Sequence, residues 1–358
     1  MVKIDQKAYF AAFAAYPKIN TQNWQKILGY FPNLFEAWEA DASDFGKTGV
    51  SKEFVEGFFD FRKKINPEKE YEKLQKYGID IITILDEDYP KNLKEIFTPP
   101  VVLYVRGGLK PEDEFAIAVV GARKATDYGK RATKEITEGI AEAGLTIVSG
   151  LALGLDAEAH KAAISKKART IAVLANGLDQ IYPPTNKSIA DKILENGAII
   201  SEQPIGMPAL KQNFPARNRI ISGLSLGVLI TEAGEHSGTL HTASFAIEQN
   251  RQIYAVPGPI YNPLSHGPNN LIKSGAKPVS CANDILEDLG IETKAVIVRP
   301  ETQDEEMIFA ILEAENLHID EITKRTEKES AEISKILTMM EIKNKVKHLG
   351  GMVYTLKR

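Results

Sequence analysis

Three loops of this sequence carry residue types that hold phosphate. GARKATDYG from Gly121, SGLALGLDAEAH from Ser149 and EAGEHSGTLHTA from Glu232 are rich in glycine and other small residues, which let backbone N–H groups approach an anion closely. Each leads into a helical pattern, and a helix N-terminus adds free amide donors and partial positive charge. Gly121, Ala122, Ser149, Gly150, Ser237, Gly238 and Thr239 are therefore candidate ligand-facing positions, with Arg123 and Lys124 directly after the first turn. A fourth segment, FPARNRIISGLS with the residues before it, supplies Lys211, Phe214, Arg217, Asn218 and Arg219. An arginine fork binds two phosphate oxygens at once. A cation beside an aromatic ring suits single-stranded nucleic acid, the cation tracking the backbone while a base stacks on the ring. Each feature also has a plainer reading: glycines that only make tight turns, a Phe214 that belongs to the core, and arginines that are ion-paired.

Other chemistries lack their residues. The first turn does not spell G-x-G-x-x-G, and the second strand ends in Ser149-Gly150 where an acidic ribose ligand is expected, which argues against NAD and FAD. No G-x-x-x-x-G-K-[ST] occurs. His160, His236 and His241 do not sit at metal-ligand spacing and no cysteine joins them, so capping or packing roles are expected and no cofactor or metal is. Glu158 and His160 fall on different faces of one helix and make no acid–base pair. The lone Cys281 excludes a disulfide framework and suits a reducing cytoplasm. The net charge is −4, from 44 Lys and Arg against 48 Asp and Glu. Any polyanion site must therefore come from local clustering. No stretch approaches a membrane span, and a cytoplasmic protein is expected.

The elements that position these loops follow from periodicity. Residues 1–76 read as short amphipathic helices. IDIITIL and PVVLYVRG then read as strands leading into a sheet, and from FAIAVVGAR to QIYAVPG apolar strands alternate with helices, which specifies a mostly parallel sheet covered on both faces. Ligands on such sheets sit beyond the carboxyl ends of the strands. Residues 291–302 read as a polar linker, and 303–358 as three helices and a hairpin around Gly350-Gly351, the pattern of a winged helix.

At VVGARKATDYG, SGLALGLDAEAHKAAI, VLANGLDQIYPPTN, IISEQPIG, FPARNRIISGLS, LITEAGEHSGTLHTASFAIEQNRQIYAVPG and NNLIKSGA, the chain closely resembles the DNA-processing protein A (DprA, or Smf) family. The matching blocks run in the family's order from about Phe115 to Ala276. The resemblance implies an extended Rossmann-like α/β domain, 77–290, that binds single-stranded DNA, forms a homodimer and loads the RecA recombinase during natural transformation without being an enzyme. It places the family's G-S-R turn on Gly121, Ala122 and Arg123, the last a phosphate contact. Ala122 stands where a serine is usual and offers no hydroxyl. The Lys and Phe of the family's DNA pocket fall on Lys211 and Phe214, and its R-N-R segment on Arg217, Asn218 and Arg219. The N-terminal helices correspond to the sterile-alpha-motif-like module of many members, without a glycine-containing DNA-binding hairpin. In the winged helix, Lys324, Arg325 and Lys328 are mixed with acidic residues, which does not favour duplex binding.

Two other readings compete. EAGEHSGTLHT resembles the P-G-G-x-G-T-x-x-E loop of lysine-decarboxylase-like (LOG) nucleotide phosphoribohydrolases, but Thr242 stands where their catalytic glutamate is expected. A structural adaptor working through the winged helix would leave the Rossmann segment without affinity for oligonucleotides.

Overall fold

Aromatic residues at helical spacing build the start of the chain in the computed structural model, which describes residues 6–291, 300–343 and 345–356. Six helices, α1 (Gln6–Ala14), α2 (Thr21–Tyr30), α3 (Leu34–Glu39), α4 (Ala42–Gly46), α5 (Lys52–Arg62) and α6 (Pro67–Lys76), enclose Phe13, Trp38, Phe45 and Phe58. The rings of Phe13 and Phe58 stack at 4.8 Å between centroids, and those of Phe45 and Phe58 at 5.1 Å. Asparagine, aspartate or serine caps α2 to α6, each accepting an amide of the first turn. This core runs on without a break into one face of the sheet, where Leu151, Ala172, Leu174 and Ile199 join it.

The sheet has nine strands in the order β1-β2-β6-β5-β4-β3-β7-β8-β9. The hairpin-like pair β1 (Ile79–Thr83) and β2 (Val102–Gly107), separated by the short α7 (Lys91–Lys94), is antiparallel, and β2 runs antiparallel to β6 (Ala198–Ser201). All remaining pairings are parallel. In chain order β3 (Ala116–Val120) is followed by α8 (Asp127–Glu142), β4 (Thr146–Ser149), α9 (Leu155–Ser165), β5 (Thr170–Leu174) and α10 (Lys187–Asn196) before β6. After it come α11 (Asn213–Gly223), β7 (Gly227–Ile230), α12 (Gly238–Glu248), β8 (Gln252–Ala255), α13 (His266–Lys273), β9 (Lys277–Pro278) and α14 (Ala282–Asp288). The expected mixed, mostly parallel sheet is thus present. The two-residue β9 was not anticipated, because a Lys-Pro step carries no strand pattern.

Alternation explains the unbroken apolar runs of the central strands. In β3, Ala116, Ala118 and Val120 face one core while Ile117 and Val119 face the other, so both sides must be apolar. From β3 the chain proceeds to β4 on one side, and after β6 it returns to place β7 on the other. β3 and β7 therefore flank the switch point, where a crevice opens beyond the carboxyl ends of the strands.

One compact unit ends at Glu292 and a second begins at Thr293. The expected linker 291–302 falls for the most part, at 292–299, outside the described residues. The second unit contains α15 (Gln303–Ala314), β10 (Leu317–His318), α16 (Ile319–Thr326), α17 (Ser330–Ile342), β11 (Val346–Gly350) and β12 (Val353–Leu356), with a sheet ordered β10-β12-β11. Ile308, Leu312, Ile322, Ile333 and Leu337 form its core, giving the expected winged helix. Among the described residues no helix is long and apolar enough to cross a membrane.

His160, on α9, is fully buried against the sheet. Its Nδ1 lies 2.7 Å from the Thr170 hydroxyl, which itself donates to the Ile147 carbonyl. The hydroxyl must then accept from the ring, which assigns the proton to Nδ1 of a neutral imidazole. Burial, with the positive charge of Arg217 nearby, draws its pKa down to about 3. A group lowered on folding costs stability as pH falls below its unfolded value of about 6.5, since only the unfolded chain then takes the proton. We expect about 2 kcal/mol to be lost to this residue between pH 7 and pH 5, read as a steeper pH dependence of urea unfolding in the wild type than in His160→Gln. Separately, Phe58→Ala should destabilise the first unit by about 3–5 kcal/mol in the same measurement.

Candidate nucleic-acid interface

A cavity of about 510 Å³ occupies the switch point. The loop after β3 lines it with Gly121, Ala122, Arg123 and Lys124, the loop and helix after β4 with Ala152 and Asp156, and α11 with Phe214, Arg217 and Asn218. Gly234, Ser237, Gly238 and Thr239 enter from the loop after β7, and Leu264 from the loop after β8. Residues expected from four separate stretches of sequence thus meet at one edge of the sheet.

Their close approach depends on backbone geometry. Gly154 precedes α9 at φ 81°, and a Cβ there would lie 2.3 Å from the Ala122 carbonyl oxygen. Only glycine lets the loop after β4 press against the loop after β3, where the Leu155 amide donates to that same carbonyl at 3.2 Å. Thr239 Oγ1 donates to the Gly121 carbonyl at 3.1 Å, and Asn218 Nδ2 to the Gly238 carbonyl at 3.2 Å, tying α12 to the first loop and to α11. Ser237 caps α12 by accepting from the Thr239 amide.

The floor of the cavity is already satisfied internally. The Asp156 carboxylate, in the first turn of α9, accepts from the amides of Gly150 at 3.2 Å and Gly121 at 3.4 Å. Burial raises its pKa, opposed by the charge of Arg217 and by the amides of Gly121, Ala152 and Gly150. Arg217 is only 7% exposed and donates to the carbonyls of Gly150, at 2.8 Å, and Val173. Burial draws it down to about 10 against the attraction of Asp156, so it stays charged at neutral pH. At the start of α8, Glu232 plays the part of Asp156: it accepts from the Thr126 amide at 3.0 Å and from the Thr126 hydroxyl.

These contacts correct the picture of glycine loops and helix ends facing a phosphate. Asp156 takes the amides of Gly121 and Gly150, Glu232 takes that of Thr126 before α8, and the first amide of α9, on Leu155, goes to the Ala122 carbonyl, so these loops spend their amides inward. Ser149 is fully buried, its hydroxyl donating to the Val119 carbonyl at 2.6 Å. Arg217 lines the cavity with Nη1 donating to two backbone carbonyls and Nε to Asn218 Oδ1, and Arg219 contacts both carboxylate oxygens of Glu202 at 2.6 Å. Lys211 is exposed in the turn before α11 and does not line the cavity.

The rim is different. Arg123 and Lys124 are exposed. The Arg123 guanidinium carbon stands 5.4 Å from the centroid of the half-buried Phe214 ring, and the Tyr182 ring packs against Phe214 at 5.9 Å between centroids, tilted by 59°. A cation over an aromatic face is held there by the ring quadrupole. The arrangement presents a ring and a charge together at the cavity mouth. Asp156, Glu232 and Tyr182 were not singled out from sequence. An acidic residue in a first helical turn is too common to mark an amide-binding carboxylate, and Tyr182 is distant from Phe214 in the chain.

With this geometry in view, relatives are informative. Residues 80–290 match the family model of DNA recombination-mediator protein A, and residues 292–352 that of the DprA winged helix domain. DNA processing protein DprA of Streptococcus pneumoniae is 38% identical over 271 residues, covering 75% of this chain and 94% of that protein. Protein Smf of Escherichia coli is 44% identical over 250 residues, covering 70% and 67%. The crystal structure of the S. pneumoniae protein superposes with a TM-score of 0.71 at 36% identity, covering 80% of this chain and 98% of that one. DNA processing protein A from Helicobacter pylori, whose structure concerns its binding of single-stranded DNA, superposes with a TM-score of 0.54 at 31% identity, covering 59% and 95%. From its sequence, its sheet and its winged helix together, the chain belongs to the DNA-processing protein A (DprA/Smf) family.

Proposed function

We propose that this chain is a non-enzymatic, cytoplasmic single-stranded DNA-binding protein, and that the strand is held at the rim of the switch-point cavity. The observation that carries this reading is the Arg123 guanidinium poised over the Phe214 ring. In this arrangement a base stacks on the Phe214–Tyr182 pair while Arg123 and Lys124 contact the adjoining phosphates, with Lys211, exposed three residues before Phe214 in the chain, the next cation along. Gly238, at the start of α12, supplies its amide, Asn218 fixes its position, and Thr239 holds the first turn of α12 against Gly121. Every base has a π-face, so little sequence preference is expected. Delivery of the bound strand to RecA in natural transformation and recombination, and action as a homodimer, complete the proposal and rest on family membership.

The phosphoribohydrolase reading is not favoured. Thr242 is buried at the position of the expected glutamate, and the carboxylate that does line the cavity, Asp156, is committed to backbone amides.

Fluorescence anisotropy with oligothymidylates at several salt concentrations tests the proposal. Phe214→Ala should weaken binding by about 1–3 kcal/mol, the worth of one stacked base. Arg123→Ala should weaken it and reduce the slope of log K against log salt by about 0.7, one phosphate contact. Salt-independent binding, or two variants indistinguishable from wild type, would refute the assignment.

A further inference from the structure

The loop after β8 presents two bare apolar side chains, Ile260 at 71% and Tyr261 at 91% exposure. Bare rings on soluble proteins are usually found where the chain is loose, yet this loop is closely bonded. The Asn262 amide donates to the Pro259 carbonyl at 3.0 Å, and the Leu264 amide to Asn262 Oδ1 at 3.0 Å. Gly258 exchanges two hydrogen bonds with the Asn269 side chain, and the Leu264 carbonyl accepts from the Ala233 amide at 2.8 Å. The backbone is therefore ordered by its own bonds while the two side chains contribute almost nothing to the core. An aromatic ring held out by a preformed loop loses little entropy on gaining a stacking partner.

Its position is specific. Leu264, three residues beyond Tyr261, lines the same cavity as Phe214. Tyr128, in the first turn of α8 and 42% exposed, donates its hydroxyl to the Pro257 carbonyl of this loop at 2.7 Å. That bond joins the loop to the segment that carries Lys124, four residues before Tyr128, and Arg131, three residues after it; both cations are exposed. Aromatic faces and cations thus continue from the cavity mouth onto the loop after β8. This alternation matches a strand of repeating phosphates and bases, and it does not match an acidic or purely apolar protein partner.

We propose that Tyr128 and Tyr261 form a second stacking platform, flanked by Lys124 and Arg131, that receives nucleotides beyond the one on Phe214. The proposal rests on the reading of the cavity rim as a single-stranded DNA site and extends it along the strand. It makes length the discriminating variable. With the full-length protein and anisotropy as readout, oligothymidylates of about 6 and about 20 nucleotides lie near the short end and beyond the long end of the site sizes of sequence-tolerant binders. Tyr261→Ala and Tyr128→Ala should each weaken binding of the longer strand by about five- to tenfold while leaving the shorter one within about twofold. Tyr261→Trp should restore the longer strand, since a larger ring stacks at least as well. Wild-type protein that binds neither strand removes the rim site itself. Normal binding of both strands by Tyr261→Ala, equal losses for both lengths, or a change in sedimentation of that variant without DNA would instead overturn the second platform alone, the last by making the ring a self-association contact.

Discussion

The carboxylate of Asp156 governs the rest of the site. It gathers the amides of two loops, from Gly121 and Gly150, at the place where a doubly wound sheet ordinarily offers its helix N-terminus to a ligand phosphate. Nearby, Arg217 donates to the Gly150 and Val173 carbonyls and so locks α11 onto the ends of β4 and β5. Such a buried charged group is costly to leave unpaired, because its hydrogen bonds are each worth about 1.5–3 kcal/mol. Glu232 closes the start of α8 in the same manner. The crevice at the switch point is therefore bounded by loop amides that the protein's own carboxylates already hold.

Two consequences follow for ligand choice. A mononucleotide that needs loop amides for its phosphate finds those of Gly121 and Gly150 already held by Asp156, and the Arg217 charge already beside that carboxylate. What remains open is the rim, where Arg123, Lys124, Phe214 and Tyr182 offer shallow contacts of charge and stacking. Shallow contacts bind a polymer well because they repeat along it, and they bind a single nucleotide poorly. Although the net charge is −4, the exposed Arg123 and Lys124 stand together at one edge of the sheet, where a local field can differ in sign from that of the whole molecule.

Much of this was legible in the sequence. Unbroken apolar runs alternating with helical patterns specified a two-sided parallel sheet, and the glycine-rich turns marked the edge where its crevice opens. Arg123 and Phe214 could be read because their residue types are unusual beside such turns. The division of labour among the cations could not. Arg217 and Arg219 sit two residues apart in one helix, and nothing local reveals that one is enclosed by carbonyls while the other is paired with Glu202. Nor does Asp156 announce that its partners are amides from loops 6 and 35 residues earlier. Those facts depend on how strands are ordered across the sheet, which is a long-range property. The glycine at 154 belongs to the same class: its need follows from the carbonyl of Ala122 against it, not from its neighbours in the chain.

The most direct test of this account is a crystal structure of the protein bound to a short oligothymidylate. The account predicts a base against the Phe214 ring, a phosphate within hydrogen-bonding distance of the Arg123 guanidinium, and Asp156 unmoved on the amides of Gly121 and Gly150. A phosphate that displaces the Asp156 carboxylate from those amides, or a strand bound only to the winged helix, would contradict it.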